Sequence, residues 1–376
     1  MTEHNRAFIH HPGPSLGNLA DLLEHRPVTV SAPCRIDFGG TLDLGSFYCA
    51  LRRHSPITVN IALNQRTMVR LLPEEGDRIR ISSRGISDMA TGPGSDHVFE
   101  SGGSAYDHPL GLMAVIVDYF GARGVHVDID SASPPRSGLG GSSVAAVALI
   151  AALSRLGEKM GQTGRSRFQI VRLAHTLEQA MAGVCCGLQD HLAAAYGGAN
   201  AWLWSGEPDA PFSRHALVPD RKLSALNPHL LVAYLGVTHV SGEVNQTWVN
   251  QFIRGEHRDL WREIVHLTHD FARAVSAFDF TRAADAMNQE TAIRRTMTPH
   301  VLESMGEALV EAAVQTRCGA RFTGAGAGGC LWAMGEADDI SKLKEKWELL
   351  LARRPGAGLM ACEVDGGMQW QDDEEV

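Results

Sequence analysis

Pro134-Pro135-Arg136-Ser137-Gly138-Leu139-Gly140-Gly141-Ser142-Ser143 decides how this chain is read. A strand is predicted just before it, Val125 to Ile129, and an apolar run, Val144 to Leu153, just after it. Strand, Gly/Ser loop, buried helix is an order that aims backbone N–H groups and a positive helix end at one point, which binds phosphate. Glycines let a phosphate approach the backbone, and Ser142 and Ser143 add hydroxyls for phosphate oxygens or a magnesium ion. A plain turn opening a core helix is the competing reading of the loop alone. A dinucleotide fingerprint needs a third Gly where Ser143 stands, and the chain has no Gly-Lys pair to end a Walker A loop.

Outward from this loop the pattern is α/β throughout. Upstream, strands are predicted at Val28–Ala32, Ile57–Leu63, Thr67–Leu72 and Arg78–Ser82, with a sharp turn over Pro33–Asp43, a loop over Gly92–Ser104 and a helix over Pro109–Phe120. Downstream, Phe168–Ala182 has a helical period, Gly183–Gly187 breaks it, a short helix opens at Gln189-Asp190-His191, and Ala199–Trp204 is a strand. Ser205–Phe212, rich in Gly, Pro and Asp, reads as a linker. Beyond it come a strand (Leu230–Leu235), helices (Glu243–Arg254, Leu260–Ala277, Thr281–Arg295, His300–Thr316), a strand (Ala320–Thr323), a second glycine loop (Gly324–Gly329), a strand (Cys330–Met334), a helix (Ile340–Ala352) and a strand (Gly358–Val364). The second glycine loop lies between strands and holds more glycine than a hairpin needs, so something is expected to approach its backbone closely.

Composition sets bounds. The chain has 376 residues and a formal net charge of −9, which argues against a general nucleic-acid or membrane-surface binder. No apolar run reaches membrane-spanning length, and Met1–Gly17 lacks the apolar core of a signal peptide. Seven cysteines without zinc or redox spacing fit a reducing compartment, so a cytoplasmic protein is expected. The 17 histidines are scattered and read as solvated or core residues. Asp37-Phe38-Gly39 and His257-Arg258-Asp259 spell two protein-kinase signatures, but in reversed order and without the Asn that follows the second, so they are chance.

Three segments in order carry a resemblance: APCRIDFGGTLD (32–43), PPRSGLGGSSVA (134–145) and GARFTGAGAGGC (319–330). Together they resemble the GHMP small-molecule kinase superfamily of galactokinase, homoserine, mevalonate and phosphomevalonate kinases. GVCCGLQDH (183–191) is most similar to galactokinases and heptose 7-phosphate kinases. The resemblance implies an α+β fold of two domains with the active-site cleft between them: a ribosomal S5 domain 2-like N-terminal domain and a ferredoxin-like C-terminal one. The expected divisions are a lead-in at 1–27, the ATP-binding domain at 28–205 and the second domain at 206–376. It implies ATP and Mg2+, with Pro135, Ser137, Gly138, Leu139, Gly140, Gly141, Ser142 and Ser143 holding the nucleotide. Ser142 and Glu178 would hold the metal, and Asp190 with Arg35 would be catalytic. Asp43, Gly187, Asp190 and Gly326 would bind the acceptor. From the residues alone, an Arg35–Asp37 ion pair, an ordinary helix carboxylate at Glu178 and a helix N-cap at Asp190 stay open.

The same chemistry follows from phosphoryl transfer itself, which needs positioning and charge neutralisation more than covalent catalysis. One Glu and one Ser suffice for magnesium, and a carboxylate must take or orient the acceptor proton. The sequence departs from the pattern in places. Gly141 stands where a Ser is usual, and Val144 where Ala is usual. Thr41 and Leu42 stand where galactokinases carry a Glu-His pair that touches the hydroxymethyl end of the sugar. The implied function is an ATP-dependent sugar kinase acting on the anomeric hydroxyl of a hexose or heptose, heptose 7-phosphate kinase-like, as monomer or homodimer. A galactokinase proper, or a catalytically weak sugar sensor of that descent, is the alternative. Arg52, Arg53, Arg294, Arg295 and Arg321 are the candidates to hold a substrate phosphate, and Leu42 is expected near the sugar.

Overall fold

The computed structural model describes residues 15–84, 95–99, 108–182, 186–207, 209–237 and 241–371. The expected loop at Gly92–Ser104, apart from 95–99, lies outside them, as do most of the lead-in and Gly183–Cys185. The chain opens with β1 (Gly17–Asn18), α1 (Ala20–His25), β2 (Val28–Phe38), α2 (Gly45–Tyr48), β3 (Ile57–Pro73), β4 (Ile79–Arg84) and β5 (Ser95–Phe99). Next come α3 (Gly111–Tyr119), β6 (Ala122–Arg123), β7 (Val125–Ser131), α4 (Gly141–Lys159), α5 (Arg167–Ala182), α6 (Gln189–Tyr196), β8 (Ala199–Trp204), β9 (Phe212–Ala216) and β10 (Leu230–Tyr234). The last part holds α7 (Ser241–Ile253), α8 (Arg258–Ala277), α9 (Phe280–Met297), α10 (Ser304–Gln315), β11 (Gly319–Phe322), β12 (Cys330–Met334), α11 (Ala337–Leu351), β13 (Gly358–Met360) and β14 (Gln369–Gln371).

Two main sheets organise the molecule. The first runs β14-β2-β3-β7-β4-β5, with β8 and β9 added beside the first half of β3. The second is an antiparallel sheet of order β11-β12-β10-β13. α4 lies on the first sheet and is buried along almost its whole length, which is why its sequence is apolar on every face. Among the described residues it is the one helix long and apolar enough to cross a membrane, and it is core. The second sheet is buried on both faces. Cys330, Trp332 and Met334 join the first core, while Leu331 and Ala333 join the second. That explains why β12 reads as an unbroken apolar run rather than an alternating one.

Several elements differ from the sequence reading. The chain does not turn at Pro33. β2 continues to Phe38, with a register shift between Pro33 and Cys34. Pro33 lacks an N–H, and the irregularity absorbs that loss without ending the strand. Ile57–Leu63 and Thr67–Leu72 are one strand, β3, carried across the shift by contacts of Asn64 with Glu363 and Leu63 with Val364. Helix α10 starts four residues later than predicted because Glu303 caps it, accepting the N–H groups of Met305 and Gly306 at 3.1 and 3.2 Å. The predicted linker at 205–212 is the turn of the β8–β9 hairpin, and β9 stays on the first sheet. The expected boundary at 205/206 falls inside that hairpin. The chain also crosses back at its end, where β14 pairs with β2. In the opposite sense Leu42, Leu44, Phe47 and Leu51 leave the first half of the chain to pack in the second core.

Candidate active site

The two glycine loops meet. Cys330 N–H donates to the Ser137 carbonyl at 2.7 Å, and the Thr323 hydroxyl donates to it at 3.2 Å. A Cβ at Gly329 would lie 2.5 Å from the Ser137 oxygen, and one at Gly138 would lie 2.7 Å from Thr323 Oγ1. The close approach expected at the second loop is therefore made by the first loop. Both glycines also have positive φ, 76° each, a region side chains resist. Ser137 and Leu139 thus anchor the loop; Leu139 is buried, and its carbonyl accepts the Arg35 N–H at 3.2 Å. Pro135 and Arg136 form the outer turn, and Arg136 is exposed.

What the loop leaves open is the start of α4. Gly140 is its N-cap residue, with φ 84° and no side-chain cap. The first helical bond is Val144 N–H to Gly140 C=O at 3.0 Å, so the N–H groups of Gly141, Ser142 and Ser143 have no partner within the helix. That is an anion cradle at the end of a long buried helix. Its hydroxyls are ordered by Glu178 on α5: the Ser142 hydroxyl donates to Glu178 Oε1, and Ser143 donates to Oε2 at 2.6 Å. His191 Nε2 lies 2.8 Å from the same Oε2, and Cys186 Sγ lies 3.8 Å from it. Burial works against the Glu178 charge, but the His191 contact and the two serine hydroxyls outweigh it and hold its pKa at about 2. Glu178, Cys186 and His191 form a compact ligand-type cluster. The thiol and imidazole are already turned to the carboxylate. Ser142, exposed at the helix end, and the Glu178 Oε1 it contacts are a pair of hard oxygens that fits Mg2+ completed by phosphate oxygens and water. His191, core as expected, has a role the sequence reading missed; its only signal was a His directly after Asp190.

Asp190 sits in the first turn of α6 and makes no cap bond, so the N-cap reading is corrected. It faces Arg35 instead. Arg35 Nε donates to Asp190 Oδ1 at 2.8 Å, and Nη2 lies 2.7 Å from the same atom. The Arg35–Asp37 ion pair also exists, at 3.3 Å. Burial disfavours the Arg35 charge, yet Asp190 and Asp37 keep the guanidinium firmly protonated. Arg35 is 3% exposed, while the Asp190 side chain keeps 23%, so the carboxylate is the member of the pair open to a substrate. A Cβ at Gly140 would lie 3.2 Å from the Asp190 carboxylate, which places Asp190 beside the anion cradle.

Asp43 completes the group from the other side of α6. Its Oδ2 accepts the Gln189 N–H at 3.1 Å, and a Cβ at Gly187 would lie 1.7 Å from that oxygen. Burial raises its pKa, the Gln189 N–H opposes this, and the charges of Asp190 and Asp37 add to the rise, giving about 6. Gly326 is the expected member not brought here; it is buried against Val301 and Phe322. Leu42 is also turned away, fully buried in the second core, so it does not line the acceptor side.

Three of the five arginines named for a substrate phosphate are spent in ways that correct that reading. Arg294 and Arg321 are fully buried around Glu290, and Arg321 also holds Asp37 at 3.0 Å. Arg295 pairs with Glu307. Arg52 pairs with Glu207 at the surface, and Arg53 has no ion-pair partner among the described residues.

With this geometry in place, the comparisons agree on a class. Residues 107–198 match the family described as the GHMP kinases N terminal domain. The fold is that of the GHMP kinases over nearly the whole chain. A D-glycero-D-manno-heptose 1-phosphate kinase from Bacteriodes thetaiotaomicron aligns with 92% of this chain and 99% of its own, at 16% identity and a TM-score of 0.67. The galactokinase of Lactococcus lactis, solved with galactose, aligns with 93% and 99% at 15% identity and a TM-score of 0.68. The phosphomevalonate kinase of Streptococcus pneumoniae, solved with phosphomevalonate and AMPPNP, aligns with 90% and 99% at 15% identity and a TM-score of 0.65. No curated protein matches the chain by sequence.

Proposed function

We propose that the protein is an ATP- and Mg2+-dependent kinase that phosphorylates the anomeric hydroxyl of a hexose or heptose, with a heptose 7-phosphate as the favoured acceptor class. The carrying observation is the Arg35–Asp190 pair beside the open N-terminus of α4, where Ser142 is held by Glu178 of α5. In this reading the N–H groups of Gly141, Ser142 and Ser143 hold ATP phosphates. Ser142 and Glu178 would hold Mg2+, which neutralises phosphate charge when bound. Asp190 orients the acceptor hydroxyl and takes its proton, and Arg35 holds the Asp190 carboxylate in place and offsets charge on the transferring group. Asp43 accepts hydrogen bonds from sugar hydroxyls.

Neither Thr41 nor Leu42 supplies a charged contact to a hydroxymethyl group, which supports an acceptor altered at that end. A site built to hydrogen-bond a hydroxyl discriminates by large factors; one without those groups gains little from galactose. The test is ADP release across a panel of neutral and phosphorylated sugars. Heptose 7-phosphate is expected to exceed galactose in kcat/KM. Galactose as the best acceptor overturns the acceptor reading, and no sugar-dependent release overturns the kinase reading in favour of a sensor.

A further inference from the structure

Away from this site, α8 turns a basic stripe toward the segment that follows Asp43. Arg258, Arg262 and His266 follow at four-residue spacing, which places them on one face of the helix. Arg53 and His54 stand opposite. Between them lies a cavity of about 430 Å3, walled by Arg53, His54, Arg258 and Arg262 over an apolar floor that includes Leu51 and Phe252. His266 meets His54 edge-on, ring centroids 6.2 Å apart.

These guanidinium groups are little used by the protein. Arg53 has no ion-pair partner among the described residues. Arg258 reaches the Phe252 carbonyl at 3.4 Å and lies 5.7 Å over its ring, with no carboxylate partner among the described residues. Arg262 shares Asp259. Among the described residues these three guanidinium groups thus have one carboxylate partner, Asp259, in a chain whose net charge is −9. Like charges gathered this way repel one another, and a bound dianion removes the repulsion. The walls are fixed elements. His269 Nε2 contacts the Ser55 carbonyl at 2.8 Å, and Gly39 packs so closely on Thr268 that a Cβ would lie 2.5 Å from its hydroxyl. The volume suits a small ligand, and the apolar floor suits the carbon part of an ester better than bare phosphate.

We propose that this pocket binds a phosphate monoester, its dianion held by Arg53, Arg258 and Arg262. The phosphate is either the far end of the acceptor itself, an option that rests on the proposed function, or part of a separate phosphorylated small molecule, which does not.

The test is calorimetric titration of the whole protein with glucose 6-phosphate, in the presence of Mg2+ and AMPPNP, on the parent and on R53Q/R262Q. Both positions are exposed, so the variant should fold; its melting curve checks this, and R53K/R262K should recover part of the binding. The expected result is binding to the parent that weakens roughly tenfold or more in the Gln variant. Absence of binding to the parent, or equal binding to both, overturns the proposal whether or not the protein is a kinase. Kinetics separate the sources. If the phosphate is the acceptor's, KM for heptose 7-phosphate rises in the variant while KM for an unphosphorylated heptose stays. If it is a separate ligand's, both KM values stay and the calorimetric loss remains.

Discussion

Asp43 shows how single residues are arranged against their own stability. Its carboxyl is 4% exposed and has a pKa near 6, against an ordinary 3.8. A raised acid pKa means the folded state binds the proton more tightly. The contribution of Asp43 to stability is therefore greatest below pH about 3.8, falls as pH rises through 6, and carries a cost of about 3 kcal/mol at neutral pH. Asp43→Asn should raise the melting temperature at pH 8, with the gain vanishing near pH 4, while weakening acceptor binding; a melting series across pH checks it, and a gain independent of pH would contradict it. Glu178 has the opposite sign. Its pKa of about 2 contributes stability above pH 4.5 that is lost as pH falls toward 2. His191→Ala leaves that carboxylate short of a buried partner, and should raise the Mg2+ concentration needed for half-maximal nucleotide binding while leaving acceptor affinity nearly unchanged; superimposable Mg2+ titrations would make His191 merely structural. Gly187 has no positive φ and drew attention only through the resemblance, yet a Cβ there would strike Asp43 at 1.7 Å. Gly187→Ala should raise the acceptor KM roughly tenfold or more through displacement of Asp43, with ATP affinity retained.

At the scale of elements, the phosphate loop is shaped by its clamp as much as by its own sequence. Gly329→Ala would force a methyl group to 2.5 Å from the Ser137 carbonyl at a positive φ. It should destabilise the fold by about 1–3 kcal/mol and loosen ATP binding, measured by denaturant unfolding and nucleotide titration. Both loops were legible in the sequence as glycine runs after strands; their mutual contact was not, because nothing local records which backbone will approach a glycine. The same limit explains β2 and β3. Pro33 read as a breaker, but tertiary pairing with β3 on both sides of it carried the strand through. Ser142 was legible from the glycine-serine loop before a helix, whereas Glu178, Asp190, Arg35 and Asp43 were legible only through the family resemblance, because each alone reads equally well as an ordinary ion pair, helix carboxylate or cap. Asp37, whose carboxylate receives Arg35, Arg321 and the Gly324 N–H, read only as a possible partner of Arg35.

Across the whole molecule, a buried ionic chain joins the two cores. Asp37 on β2 meets Arg321 on β11; Arg321 meets Glu290 on α9; Glu290 meets Arg294, whose Nη2 donates to the Gly40 carbonyl at 2.7 Å. Removing one partner strands a buried charge, so Arg321→Ala should cost about 3–5 kcal/mol and lower the melting temperature sharply. The ionic chain begins beside Arg35 and ends at Gly40, next to the turn that carries Asp43, so in the proposed reading it ties the phosphate side to the acceptor side.

That shared geometry makes Asp190 the residue on which the account turns. The most direct measurement compares Asp190→Asn with the parent for turnover and for ATP affinity, using whichever sugar the panel identifies. Loss of the proton acceptor should cut kcat by about two orders of magnitude or more, with ATP affinity little changed. Near-normal turnover in Asp190→Asn would contradict the account.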